Sequence, residues 1–417
     1  MSGAPRRVFI TGMGVVSPHG HDPNTMFERV YAGESAVRGV EVEEAAWHPD
    51  LIPLAPADFD PAEVIPRSRR MLMSRAAQFA VVAAEQALEG AGLLQDGQGP
   101  ADAGVFIGCS LGGSEAIEDA YRLLYGKGRR PRPMTVPLTM ANAPTAHISM
   151  GLGMRGPTMT YSMACASSAA AIGEAFRAIR DGYADRILAG GAEAMLSGST
   201  VATWHLLRVL ATGHPDGFHA SSRPFDAART GMVLGEGAAV LMLENEEAAA
   251  RRGVEPLGEI VGYGAASDAH KLTEPHGEGQ VQAMRAALGD AGLKPEAVAY
   301  VNAHATGTPA GDVVEIAALK ETFGDHARAL QISSTKAVHG HLIGCAGALE
   351  SLITVQALAK GRLPPTANLT DPDPLCDLDC IPLQGREAPD AEYAISNSFA
   401  FGGSNAVLVF RRAGGRV

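Results

Sequence analysis

Along this chain, short apolar runs rich in β-branched residues alternate with longer, alanine-rich stretches in which apolar positions recur at helical spacing. Residues 8–16, 105–107, 186–188 and 298–301 read as strands, and residues 75–88, 166–180, 244–250 and 313–323 as helices. Strands alternating with helices predict an α/β architecture with a largely parallel sheet covered on both faces. The glycine-broken run 8–16 reads as a first strand and turn rather than a signal peptide.

The pattern occurs twice. Ile10-x-Gly12-x-Gly14-x-x-Ser17 returns as Ile260-x-Gly262-x-Gly264-x-x-Ser267, and Ala87-Leu88-x-x-Ala91-Gly92-Leu93 as Ala287-Leu288-x-x-Ala291-Gly292-Leu293. A helix opening at Cys165 and closing at Gly182 has a counterpart opening near Cys345 and closing at Gly361. The shared order predicts a duplicated chain, with residues 1–253 as one half and 254–417 as the other. Gly12 and Gly14 lack the third glycine of a dinucleotide fingerprint and read as a strand-end turn.

Composition narrows the class. A length of 417 residues exceeds one ordinary domain, as two core-forming halves require. Few aromatic residues (5%) beside 49 glycines fit a closely packed α/β enzyme. A formal net charge of −12 gives no basic footprint for nucleic acid. No run approaches membrane-spanning length. Five scattered cysteines, an odd number, suit a reducing cytoplasm rather than a disulfide framework. Cys376 and Cys380 have no Cys/His pair near them in sequence, so no metal is expected.

The candidate chemistry sits where apolar runs break into small-residue loops. Cys165 stands between the run 158–164 and the helix of small residues that follows, where unpaired N–H groups and the helix dipole favour a thiolate and predict a lowered pKa. His304 stands in Tyr300-Val-Asn-Ala-His-Ala-Thr-Gly-Thr308, and His341 in Ser333-Ser-Thr-Lys-Ala-Val-His-Gly-His341, just before another helix. A thiol and two imidazoles in three such loops favour a nucleophilic catalytic site over coincidence.

These motifs, with Asn397-Ser-Phe-Ala-Phe-Gly-Gly-Ser-Asn405, resemble those of the β-ketoacyl-acyl carrier protein synthases, condensing enzymes of the thiolase superfamily. The resemblance runs from Val8 to Phe410 and is closest to the synthase II group. It implies a thiolase-like, duplicated five-layer αβαβα fold and a decarboxylative condensation. Cys165 would hold the acyl chain, while His304 and His341, both neutral, would donate hydrogen bonds to the enolate of a malonyl thioester. A helix N-terminus at His341 is expected to help keep it neutral.

By the same resemblance the backbone N–H groups of Cys165 and Phe401 form an oxyanion hole, and Lys336 gives electrostatic support with Glu315 or Glu350. Thr306 and Thr308 bind the pantetheine arm, and Leu111 and Phe401 gate the acyl pocket. The substrates ride on the phosphopantetheine of acyl carrier protein, so no separate cofactor is implied. Arg67, Arg69 and Arg70 with Arg208 form the expected carrier-protein docking patch, ahead of the second cluster 129–132. The resemblance also implies a cytoplasmic dimer, either with itself or with a chain-length-factor-like relative.

Ala305, Ala400, Ser404, His339 and Lys271 depart from the housekeeping pattern and favour a specialised polyene or polyketide pathway over ordinary fatty-acid elongation. Alanine for glycine at 305 and 400 is expected to restrict gate motion and pocket shape. A silent, chain-length-setting subunit is the alternative, and the intact Cys-His-His set speaks against it. A thiolase would want a second catalytic cysteine, which the loop 399–403 does not supply.

Overall fold

Strand β1 (Val8–Val16) is buried along its whole length, and its two glycines explain what lies on top of it. A Cβ at Gly12 or Gly14 would collide with the backbone of helix α1 (Arg75–Gly90) at Ala87 and Ala83. The corresponding Gly262 and Gly264, in a later strand, lie under Ala287 and Ala283 in the same way. The repeated glycines are therefore interior strand positions that admit a helix backbone, not the strand-end turn expected from sequence. The alanines they face are the other repeated motif.

The structure, a computed structural model, describes residues 5–42 and 51–414. After β1 come β2 (Gly104–Gly108), β3 (Thr158–Tyr161), β4 (Arg186–Glu193) and β5 (Gly237–Asn245). The later strands are β6 (Gly258–Ser267), β7 (Val298–Asn302), β8 (Gln331–Ser333), β9 (Tyr393–Phe399) and β10 (Ser404–Arg412). They form one ten-stranded sheet in the order β8-β7-β9-β10-β6-β1-β5-β4-β2-β3.

The order is the same read outward from the centre: β1-β5-β4-β2-β3 on one side and β6-β10-β9-β7-β8 on the other. On each side the first two pairings are antiparallel and the last two parallel. The sheet is thus mixed rather than largely parallel. One cause is local: β9 and β10 are joined by only the loop 400–403, too short for a parallel crossover.

Among the described residues, the two sets of strands pair only at the start of β1, where Val8, Phe9 and Ile10 pair with Ile260, Glu259 and Gly258. Helices α2 (Ser167–Arg180) and α5 (Ala346–Lys360) lie between them and touch strands of both sets. Outside lie α1 on one set, and α3 (Gly277–Asp290) with α4 (Gly311–Phe323) on the other. This is the five-layer αβαβα arrangement. Helix α5 is buried from Ala346 through Leu358, as a helix with protein on all sides must be. The stretch 244–250 divides: Glu244 and Asn245 finish β5, and Asn245 caps the helix that follows by accepting from the Ala248 N–H at 2.8 Å.

Candidate active site

The nucleophile candidate is presented by a strained turn. After β3 the chain reverses through Ala164, at φ +45° a left-handed conformation uncommon for a residue with a side chain, and delivers Cys165 before α2 begins. Ser167 pins the turn, accepting the Met163 N–H at 2.8 Å and donating to the Ala164 carbonyl at 2.7 Å.

His341 is held by its backbone. Its N–H donates to the Val233 carbonyl at 2.6 Å and its own carbonyl accepts from the Gly235 N–H at 2.9 Å. Gly340 precedes it at φ +69°, where glycine is the residue that fits. His304 follows β7. Its N–H and that of Ala305 donate to the two oxygens of the buried Glu315 on α4 at 2.9 and 2.7 Å, and the Asn397 side chain donates to the same carboxylate at 2.9 Å.

These three loops converge. His341 Nε2 lies 3.0 Å from Cys165 Sγ, the two imidazole rings are 5.3 Å apart and edge-on, and ligating atoms of all three residues fall within 4.8 Å of one another. Among the described residues this is the one close set of three His, Cys or acidic side chains. Cys376 and Cys380 are instead packed in the core formed with α3 and α4.

Electrostatics differ from expectation at the cysteine. Burial pushes its thiol up to about 12, outweighing the Lys336 charge and the backbone N–H groups of Phe401 and Cys165 that face the sulfur and favour its anion. The lowered pKa expected from the helix N-terminus is overturned, because the cost of burying an anion exceeds what those partners return. Both imidazoles are well below their ordinary range, first from burial and then from the nearby Lys336 charge. The expected neutrality of His341 holds, but burial and Lys336 cause it rather than a helix terminus. Lys336, 1% exposed, is ion-paired with Glu350, and Glu315 is spent on the His304 loop.

A cavity of about 270 Å³ reaches Cys165, His304 and His341 and is also lined by Thr306, Thr308 and Phe401. Arg208 lies in the same lining, while Leu111 does not; it is 51% exposed on the loop after β2. Arg67, Arg69 and Arg70 form a single helical turn away from this cavity, and Arg70 shares a second surface depression with Arg132, Glu115 and Asp119. The first and second arginine clusters thus adjoin each other. Ala305 and Ala400 both lie outside the positive-φ region, so alanine fits their backbone without strain. Lys271 pairs with Glu274 at 2.6 Å on the surface.

Two residues were not anticipated. Trp204 lines the cavity and stacks on Phe401 with ring centroids 6.0 Å apart. Glu193 is a fully buried acid at the end of β4. An acid closing the apolar run 187–192 was the available signal for it.

A buried thiol with two neutral imidazoles at the mouth of a duplicated five-layer fold defines a thiolase-superfamily condensing enzyme. The chain belongs to the β-ketoacyl synthase family: residues 5–249 match the family's N-terminal domain and residues 257–370 its C-terminal domain. It is 39% identical over 98% of both chains to the 3-oxoacyl-[acyl-carrier-protein] synthase 2 of Synechocystis sp.. Among solved structures, the ishigamide ketosynthase/chain length factor superposes with a TM-score of 0.90 at 33% identity, covering 99% of this chain and 100% of that one. A type II PKS ketosynthase in complex with its acyl-carrier protein and bound to a hexaketide gives 0.88 at 28%, covering 98% and 100%. The chain is an acyl-transferring ketosynthase that elongates acyl chains by condensation. Among the described residues, no helix is long and apolar enough to cross a membrane.

Proposed function

We propose that this ketosynthase loads an acyl group from acyl carrier protein onto Cys165 and condenses it with a malonyl group on the same class of carrier. The observation that carries this reading is the convergence of the Cys165 thiol with the His304 and His341 rings. In the first step Sγ forms a thioester to the acyl carbon, the carrier's C–S bond breaks, and the thiol proton passes to the departing pantetheine sulfur. His341 Nε2, at 3.0 Å, is placed to relay it. The carbonyl oxygen takes the N–H groups of Cys165 and Phe401.

In the second step the malonyl carboxylate leaves as CO₂. The electron pair it leaves forms an enolate, whose oxygen receives the N–H groups of His304 and His341. The enolate carbon attacks the stored acyl carbon, the bond to Sγ breaks, and the released thiolate takes one proton from water. Neutral imidazoles suit this step, since each donates an N–H to the enolate without handing over a proton, as an imidazolium would. Lys336, held by Glu350, acts through its charge on both rings.

Thr306 and Thr308, which line the cavity, would bind the pantetheine arm, and Phe401, in the same lining, would gate the acyl pocket. Arg208 at that cavity and the turn carrying Arg67, Arg69 and Arg70 supply the positive charge for an acidic carrier protein. The edge strand β3, with Met159 50% exposed, and the exposed Leu111 form the face for a second ketosynthase-like subunit, either a copy of this chain or a chain-length-factor-like relative. Leu111 would meet the acyl chain there. Residues 1–253 and 254–417 act as the two halves, and the cytoplasm is the proposed site of action.

Intact-mass spectrometry of the wild type and Cys165→Ala tests this, after incubation with a panel of acyl carrier protein thioesters and then malonyl carrier protein. Acyl mass confined to the wild type, then released as a chain two carbons longer, is the expected result. Loading on Cys165→Ala, or no loading from any carrier with or without a partner subunit, would overturn it.

A further inference from the structure

Glu193 is a buried acid, pushed up to about 7 by burial, that the chemistry above does not use. It ends β4 with no exposed surface, and among the described residues it makes no ion pair. Its partners are backbone. Oε2 accepts the Ser110 N–H at 2.7 Å and Oε1 that of Leu111 at 3.4 Å, with the N–H groups of Gly112 and Gly344 also directed at the carboxylate. The Cys109 thiol lies 3.9 Å away.

Two loops with different duties therefore share one carboxylate. Ser110, Leu111 and Gly112 belong to the loop after β2 that carries Leu111, and Gly344 to the turn that follows His341 into α5. A Cβ on Gly344 would collide with the Glu193 carboxylate and lie 2.7 Å from the Ser110 nitrogen, so the two loops are in contact at this point. Burying a carboxylate is costly, and removing it leaves several donors without an acceptor. Such a group fixes the relative position of whatever supplies those donors.

We propose that Glu193 is a positioning residue that clamps the Leu111 loop to the His341 turn, so that acyl-chain length and the placement of an enolate-binding imidazole are set together. This rests on the reading of Leu111 and His341 given above. The clamp can be broken from either side, by Glu193→Gln, which keeps the volume and removes one acceptor, or by Gly344→Ala, which drives a methyl group into the carboxylate.

In folded protein of either variant, hydrogen exchange should quicken together at the amides of 110–112 and 344. Condensation should slow by roughly tenfold or more, the cost of a misplaced reacting group. The range of acyl lengths loaded on Cys165 should shift in the same direction in both variants, and Leu111→Ala added to Glu193→Gln should shift it no further. Exchange confined to 110–112, or wild-type rates and length preference in both variants, would overturn the proposal. So would loading and condensation falling together, in proportion to lost folded protein. If the wild type itself neither loads nor condenses, the functional reading fails instead, and the paired exchange readout still decides the clamp.

Discussion

In one half of the molecule the chain reaches the central helix α2 through Ala164 at φ +45° and then Cys165; in the other, it reaches α5 through Ile343, also at φ +45°, and then Gly344 and Cys345. These helix starts face each other, with the Ala348 N–H donating to Ser168 Oγ at 2.9 Å. The scaffold is the same, yet only the α2 start opens its cysteine to the substrate cavity: Cys165 lines that cavity, and Cys345 is fully buried. The second half supplies instead the histidines of the loops after β7 and before α5. Duplication provides two equivalent mouths, and the chemistry comes from furnishing them differently.

The largest expected effect concerns the charge that both halves share. Lys336→Ala leaves Glu350 buried and unpaired, at a cost of about 3–5 kcal/mol by urea unfolding. The double substitution Lys336→Met with Glu350→Met should recover most of that stability and still lose function at low pH. Lys336 depresses both imidazoles, so removing it raises their pKa values towards the ordinary range. Condensation should then begin to fall at a higher pH than in the wild type, though still below the ordinary histidine value of about 6.5, because burial, the larger cause, remains. The wild type, whose imidazoles stay neutral lower, should hold its rate there. A double variant with the wild-type pH profile would remove Lys336 from the account.

A smaller effect sharpens the structural equivalence. Gly14→Ala and Gly264→Ala each force a methyl group into a helix backbone, at Ala83 and Ala283 respectively. Each should cost about 1–3 kcal/mol, the range for overpacking, with similar values in the two halves. A difference of several kcal/mol in chemical unfolding would show that the two outer helices are not held alike.

The smallest effect separates the two cysteines. With burial holding the Cys165 thiol up at about 12, alkylation by iodoacetamide should rise roughly tenfold per pH unit through pH 9 without a plateau. Cys345, which burial raises further and which has no access to the cavity, should stay unmodified in peptide mapping. A plateau near neutral pH would mean a resting thiolate and would restore the helix-terminus expectation.

The three residues that converge in the candidate site were legible in the sequence because each sits where an apolar run breaks into small residues, a purely local signal. The duplication was legible too, since the glycines that admit a helix and the alanines that fill the gap both repeat. What depends on distant burial was not. The dipole argument for Cys165 was sound locally and was outweighed by burial that only the folded chain creates. The mixed sheet turns on where β5 and β10 insert, which no run of residues records. Leu111, expected as an acyl-pocket gate, is exposed on the loop after β2 and outside the cavity lining, a placement no local run records, and Glu193 gave no sign of how many backbone donors it would gather.

The division of labour between the halves is tested most directly by measuring acyl loading and CO₂ release from malonyl carrier protein separately in Cys165→Ala and His304→Ala. The account predicts that Cys165→Ala releases CO₂ without ever carrying an acyl group, and that His304→Ala carries the acyl group and releases almost no CO₂. If His304→Ala decarboxylates at the wild-type rate, or Cys165→Ala is acylated, the two mouths do not divide the reaction in this way.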